Sequence, residues 1–171
     1  MDKLSYYNKI ESHSFHYNME EADLKELVDT YIEENEDFIR KNRLQIFPVY
    51  AGGGKMIMDR GEFKRILDNL LINSVRYRQK DESKIWITVR RENKKIFWGI
   101  ADDGPGVPED ALEKIFESFC RLDESRTRCR EGSGLGLAII KRIVVDHKGI
   151  LYARNRKGLE ICMEFPCVQM R

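Results

Sequence analysis

No apolar stretch in this 171-residue sequence approaches the ~20 residues that cross a bilayer. The opening residues, Met1-Asp2-Lys3-Leu4-Ser5-Tyr6-Tyr7, lack the apolar core of a secretory leader. Charge of one sign is also missing. There are 30 basic and 29 acidic side chains and a net charge of +1, so bulk charge points to neither nucleic acid nor a membrane surface. Cysteine is sparse: Cys120, Cys129, Cys162 and Cys167 form no C-x-x-C pair, and no histidine stands at ligand spacing to them. That argues against a structural zinc and for free thiols in a reducing, cytoplasmic setting. Prolines number 4, and no internal repeat or low-complexity segment is visible. What is present, 42% hydrophobic and 35% charged residues, fits one globular domain with an ordinary core.

Residues 1–19 are polar and aromatic without a clear period. They read as an N-terminal arm, the end of a severed helix, or the remnant of a linker to a further domain, with residues 20–171 forming the domain proper. Leu24, Leu27, Val28, Tyr31 and Ile32 have helical spacing, and Lys41-Asn42 suits that helix's end. Strands are expected at 43–50 and 55–58, around a turn at Gly52-Gly53-Gly54. Asp59 can cap a long helix through Tyr77. Ile85, Ile87 and Val89 alternate with polar neighbours. Glu92-Asn93-Lys94 reads as a hairpin turn, and the return strand 95–101 delivers Asp102 at its end. A short helix at 108–115, a helix at 134–146 and two strands, 150–155 and 159–165, complete the chain. Helices mixed with mostly antiparallel strands define an α+β two-layer sandwich.

Three features carry chemistry. On helix 59–77, Phe63, Ile66, Leu67, Leu70, Leu71 and Ser74 share one face, while Asn69 and Asn73 lie four apart on its flank. Amide oxygens are hard ligands that suit Mg²⁺, although a solvated or loop-capping role is the plain alternative. Asp102 stands before Gly104 and Gly106, where a carboxylate can accept from an exocyclic amine such as that of adenine. Asp-Asp-Gly-Pro-Gly is equally good turn chemistry. The cluster Gly132-Ser133-Gly134-Leu135-Gly136 opens into a helix, whose N-terminus is an anion site; alone it is a flexible helix entry.

The order of these features makes the chain resemble a known family over about residues 20–167: the catalytic and ATP-binding domain of sensor histidine kinases, within the wider Bergerat-fold (GHKL) ATPases. Asn69-Leu70-Leu71-Ile72-Asn73-Ser74-Val75-Arg76-Tyr77 is similar to the N box, and Asp102-Asp103-Gly104-Pro105-Gly106-Val107-Pro108 to the G1 box. Ile115-Phe116-Glu117-Ser118-Phe119-Cys120-Arg121 is similar to the F box, and Gly132-Ser133-Gly134-Leu135-Gly136-Leu137-Ala138-Ile139 to the G2 box. The resemblance implies ATP and Mg²⁺ as cofactors. It implies that Asn73 coordinates Mg²⁺ with Asn69 close by, that Arg76 replaces a phosphate-contacting lysine, and that Tyr77 packs on adenine. Asp102 would bond the adenine amine, with Gly104, Gly106, Val107 and Phe119 beside the nucleotide. Arg121 would approach the γ-phosphate. Gly132, Ser133, Gly134, Leu135, Gly136 and Leu137 would form the hinge and phosphate-binding start of the last helix, and 119–131 the ATP lid, with Arg126, Arg128 and Arg130 on its surface.

Ser74, Cys120 and Ser133 depart from the commoner Ala, Tyr and Thr; none removes a charge the site needs. An acceptor histidine is missing. The residues after His13, His16 and His147 do not fit the H-[ED]-x-x-[TN]-P setting of the phosphoacceptor. The expectation is therefore an excised catalytic domain, monomeric in isolation. Its partners would be the dimerisation domain that carries the histidine and then a response regulator, and the parent protein can be membrane-anchored. An anti-sigma-factor-type serine kinase, a nucleotide-gated module of the gyrase or mismatch-repair kind, and a sensor that only binds nucleotide share such a site.

Overall fold

The computed structural model describes residues 1–120 and 134–168. In chain order the elements are α1 (Lys3–Glu11), β1 (Glu20–Asp23), α2 (Leu24–Glu34), α3 (Glu36–Lys41), β2 (Leu44–Ala51), β3 (Lys55–Met58), α4 (Arg60–Tyr77), β4 (Ser83–Glu92) and β5 (Lys95–Asp102). Two 3-10 turns (Glu109–Ala111, Lys114–Phe116), α5 (Gly136–Asp146), β6 (Ile150–Asn155) and β7 (Leu159–Pro166) follow. The alternating strands build one five-stranded sheet in the order β2-β4-β5-β7-β6. β2 and β4 run parallel, joined by a crossover through β3 and α4; the other three pairs are antiparallel. Pro48 lies in β2, the edge strand, where its missing N–H breaks no ladder bond on the outer side.

One face of the sheet carries Ile85, Ile87, Val89, Ile96, Trp98, Ile100, Ile161 and Met163, all buried. The apolar stripe of α4 packs there: Phe63 stacks on Trp98 with ring centroids 4.7 Å apart. Each such buried side chain contributes roughly 1.5–3 kcal/mol. The expected face of α4, Phe63 through Ser74, is the buried one, and Glu62 and Asn69 are buried with it. Asp59 caps this helix as its position suggests, with Oδ1 accepting from the N–H groups of Gly61 and Glu62. The architecture is the expected α+β sandwich.

Four local features differ from expectation. The helix expected over 24–42 breaks at Asn35, whose side-chain amide and backbone N–H both donate to the Tyr31 carbonyl and so end α2. The expected helix at 108–115 is a pair of 3-10 turns. The last helix starts at Gly136 rather than Gly134, because Gly134 takes a left-handed conformation at φ +71. Finally, β1 pairs with β3 as a separate two-stranded ribbon that buries Ala22, Met56 and Met58.

Residues 1–19 hold α1 and a strap that runs along α4 and α5. Tyr6 and Ile10 are buried in the core. The Tyr6 hydroxyl donates to the buried Glu62 carboxylate, and the Arg65 guanidinium covers the Tyr6 ring at 3.8 Å. Burial raises the pKa of both Tyr6 and Glu62. Phe15 bridges the Tyr6 and Tyr17 rings edge-on, and the Tyr17 hydroxyl donates to Asp146 at 2.7 Å. His147 is buried and neutral: Nδ1 lies 2.7 Å from the Ile143 carbonyl, Nε2 accepts from the Asp59 N–H, and burial lowers its pKa. Tyr6→Phe leaves Glu62 buried without its hydroxyl donor. We expect a loss of about 2 kcal/mol, read as a fall in Tm of roughly 4–8 °C in a thermal melt; an unchanged Tm would show that the hydroxyl bond does not hold α1.

Candidate functional site

β5 ends at Asp102, and β7 begins beside it at Leu159, because Ala101 is paired with Glu160. That register brings the Leu159 N–H to the Asp102 carboxylate. Oδ1 accepts from Gly104 N–H at 2.9 Å and from Leu159 N–H at 3.2 Å. Oδ2 lies 3.3 Å from Ser74 Oγ, whose single proton is also within reach of the Leu70 carbonyl at 3.0 Å. Burial raises the Asp102 pKa, against the lowering effect of these hydrogen bonds. A half-buried carboxylate with one oxygen held by backbone and the other kept near a hydroxyl is fixed in direction, and Oδ2 retains capacity for a further donor.

The carboxylate faces a cavity of about 420 Å³, within the usual size of small-molecule sites. Seven of the residues singled out by sequence meet on its wall: Asn73, Tyr77, Asp102, Gly104, Gly106, Val107 and Leu137. α4 supplies the first two from its last turns, the loop after β5 supplies the glycines, and α5 supplies Leu137.

The other expected residues lie elsewhere. Asn69 is buried off the wall; its amide donates to the Arg65 carbonyl at 3.0 Å, and its Oδ1 packs against Gly136, where an added Cβ would come within 3.2 Å. It is a strut between α4 and the start of α5. Arg76 borders a neighbouring groove with Phe38, Ile72 and Val75, and its Nη1 lies 3.4 Å from Asn73 Oδ1. Phe119 is 61% exposed and left-handed at φ 63. Its N–H donates to the Gly134 carbonyl at 2.9 Å. Gly134 has no room for a side chain there, since a Cβ would meet Phe119 Cα at 2.9 Å. Leu135 is buried at the N-cap of α5 and brings no side-chain acceptor to it. Arg121, Gly132 and Ser133, with Arg126, Arg128 and Arg130 and most of the expected lid, lie outside the described residues.

The β6–β7 turn is legible in the sequence at Lys157-Gly158, but its role at the site is not. A Cβ on Gly158 would stand 2.5 Å from Asp102 Oδ1 and 2.7 Å from Gly104 N, so glycine alone leaves the carboxylate its seat. Asn155 and Leu159 from the same turn also touch the 102–107 loop. The signal, a Gly in a hairpin 56 residues beyond Asp102, becomes visible only once β7 is known to pair with β5. Among the described residues no group of three or more His, Cys, Asp or Glu side chains forms a metal cluster. No helix of the described residues is long and apolar enough to cross a membrane. Cys120, Cys162 and Cys167 are free thiols, and burial pushes Cys162 up to about 12.

Known proteins resemble this chain in sequence and in fold. Residues 58–169 match the family described as histidine kinase-, DNA gyrase B-, and HSP90-like ATPase. The chain is 40% identical over 110 residues to the signal transduction histidine-protein kinase BaeS of Escherichia coli (strain K12), covering 63% of this chain and 23% of BaeS. It is 34% identical over 102 residues to the sensor histidine kinase WalK of Bacillus subtilis (strain 168), covering 59% of this chain and 17% of WalK. The matched region is thus a minor part of either relative. The nucleotide-free catalytic domain of histidine kinase ThkA superposes with a TM-score of 0.73 at 28% identity, over 88% of this chain and 96% of that one. The histidine kinase domain of the E. coli osmosensor EnvZ gives 0.65 at 30% identity, over 92% and 94%. The chain belongs to the histidine kinase-, DNA gyrase B-, and HSP90-like ATPase family and has that family's fold.

Proposed function

We propose that this chain is the ATP-binding catalytic domain of a sensor histidine kinase, presenting ATP–Mg²⁺ for phosphoryl transfer to a histidine on a separate dimerisation domain, with a response regulator next in the relay. The parent protein would place this domain on the cytoplasmic side. The observation that carries the reading is the Asp102 carboxylate, set in a cavity with Oδ2 open to a donor such as the 6-amine of adenine. Membership of an ATPase family and relatives named as sensor kinases support it.

The residues fit Mg²⁺ in a particular way. Asn73 offers one hard amide oxygen on the cavity wall, and no carboxylate cluster competes for the ion among the described residues. That suits an ion that keeps waters and phosphate oxygens as its other ligands. When bound, Mg²⁺ would neutralise charge on the phosphate oxygens. Asn73 would orient the triphosphate end, Asp102 the base, and Tyr77 would cover the ring. The N–H groups at the start of α5 favour anionic phosphate. Arg76, beside Asn73, adds positive charge on that side, and Arg121 is proposed to face the γ-phosphate. The chain's own contribution is positioning and charge stabilisation, the main needs of phosphoryl transfer.

Asp102→Asn tests the base contact. The amide keeps the acceptor for Gly104 and Leu159 but turns a donor toward the adenine amine. We expect ATP binding in a calorimetric titration to weaken about 100-fold, the loss of a charge-assisted bond plus a donor–donor clash. Stability moves the other way. A folded pKa raised by burial gives a contribution that is intact below the usual carboxyl value and lost as pH rises through the raised one, so the variant's Tm at neutral pH is unchanged or higher. Wild-type ATP affinity should fall as pH drops through the same raised pKa; a flat profile, or an unaltered affinity in the variant, removes Asp102 from the base site.

Transfer itself is tested by mixing the domain with γ-labelled ATP, Mg²⁺ and a panel of dimerisation domains. Acid-labile, alkali-stable label on the acceptor is the expected result, and Asn73→Asp should shift its Mg²⁺ dependence while leaving the melt intact. Acid-stable label on the acceptor, or none with any acceptor, would overturn the histidine kinase reading.

A further inference from the structure

The cavity wall formed by residues 104–108 is a glycine- and proline-rich loop outside the sheet. Neither a helix nor a strand ladder holds it. Its backbone is tied instead to Asn155, the last residue of β6. Asn155 Oδ1 accepts from Val107 N–H at 3.0 Å, and Asn155 Nδ2 donates to Val107 C=O at 2.6 Å. The amide therefore satisfies both polar groups of one residue, as a neighbouring strand would. Its orientation is fixed: Glu109 Oε1 lies 3.4 Å from Nδ2, and a flipped amide would set carbonyl against carbonyl and carboxylate. Gly106 makes room for this contact. It is left-handed at φ +70, and a Cβ there would stand 2.6 Å from Asn155 Oδ1.

Asn155 is itself exposed and does not line the cavity. A solvent-facing residue at a strand end has no packing reason to point at the loop, so the pair of hydrogen bonds to Val107 is its distinctive contact. We infer that Asn155 is a positioning residue: its amide splints the 104–108 wall through Val107 and thereby sets nucleotide affinity. The inference rests on the nucleotide reading of the cavity. Asp at this position keeps the acceptor, loses the donor, and brings a second carboxylate to Glu109.

The test uses the full chain and the variants Asn155→Ala and Asn155→Asp. Amide hydrogen exchange by NMR reads the splint without nucleotide, and calorimetric titration with ATP and Mg²⁺ reads its consequence. In both variants Val107 should exchange at least about 10-fold faster and ATP should bind about 10-fold more weakly, with Asp no better than Ala. Exchange at the core amide of Val144 should not change. Unchanged Val107 exchange, faster Val107 exchange with unchanged ATP affinity, or faster exchange at Val107 and Val144 alike would each overturn the inference. Absence of ATP binding by the unaltered chain would instead overturn the nucleotide reading itself, and this inference with it.

Discussion

The cavity depends on a half-buried carboxylate at the end of a central strand. Partial burial disfavours the charged form of Asp102 and raises its pKa. Two backbone N–H groups on Oδ1 offset part of that cost, and both impose conditions on distant chain. The Gly104 bond needs the sharp turn after β5. The Leu159 bond needs β7 to enter the sheet in one register, with Ala101 opposite Glu160. A slip of one residue would face the wrong side chains to the core and remove that donor together. The register is in turn fixed by the buried set Ile161, Met163 and Phe165 on β7. Core packing and the direction of one carboxylate are thus the same constraint.

A second constraint sets the other side of the cavity. α4 and α5 must approach closely where Asn69 meets Gly136. A buried amide is expensive unless bonded, and Asn69 spends its NH₂ on the Arg65 carbonyl of its own helix. Its oxygen then lies against the backbone of α5, and any side chain at position 136 would press on it. One turn on, Asn73 has the same chemistry but reaches the wall. Two amides four residues apart therefore divide the work: the first fixes the distance between helices, and the second faces the cavity.

Much of this was legible in sequence because it is local. The period of α4, the cap at Asp59, the alternation of β4 and the placement of Asp102 at a strand end follow from neighbours within a few residues. The failures are equally physical. β1, Glu-Glu-Ala-Asp, has one buried residue and exists because β3 pairs with it. α1 has an apolar pattern too weak to read, yet Tyr6 and Ile10 are nearly fully buried, since α4 and α5 leave a place for them. Asn35 ends α2 through its own side chain, a competition that periodicity does not register. Gly158 and Asn155 acquire meaning only from strand order, which brings a terminal hairpin against a loop some 50 residues earlier in the chain.

The same two helices are held at one end and serve the cavity at the other. The strap of residues 12–18 and α1 bind the start of α4 through Glu62 and Asp59, and the end of α5 through Asp146. His147 closes this corner by accepting from Asp59. The cavity uses the last turns of α4 and the first of α5. From Glu62 to Asn73 is about 16 Å along a helix at 1.5 Å per residue. The remote corner is dense in aromatic and ionic contacts, whereas the near end is built from glycines and a helix that begins at Gly136. The contacts that fix the two helices to each other are thus concentrated away from the cavity, and the start of α5 that meets it is set by the close approach of Gly136 to Asn69.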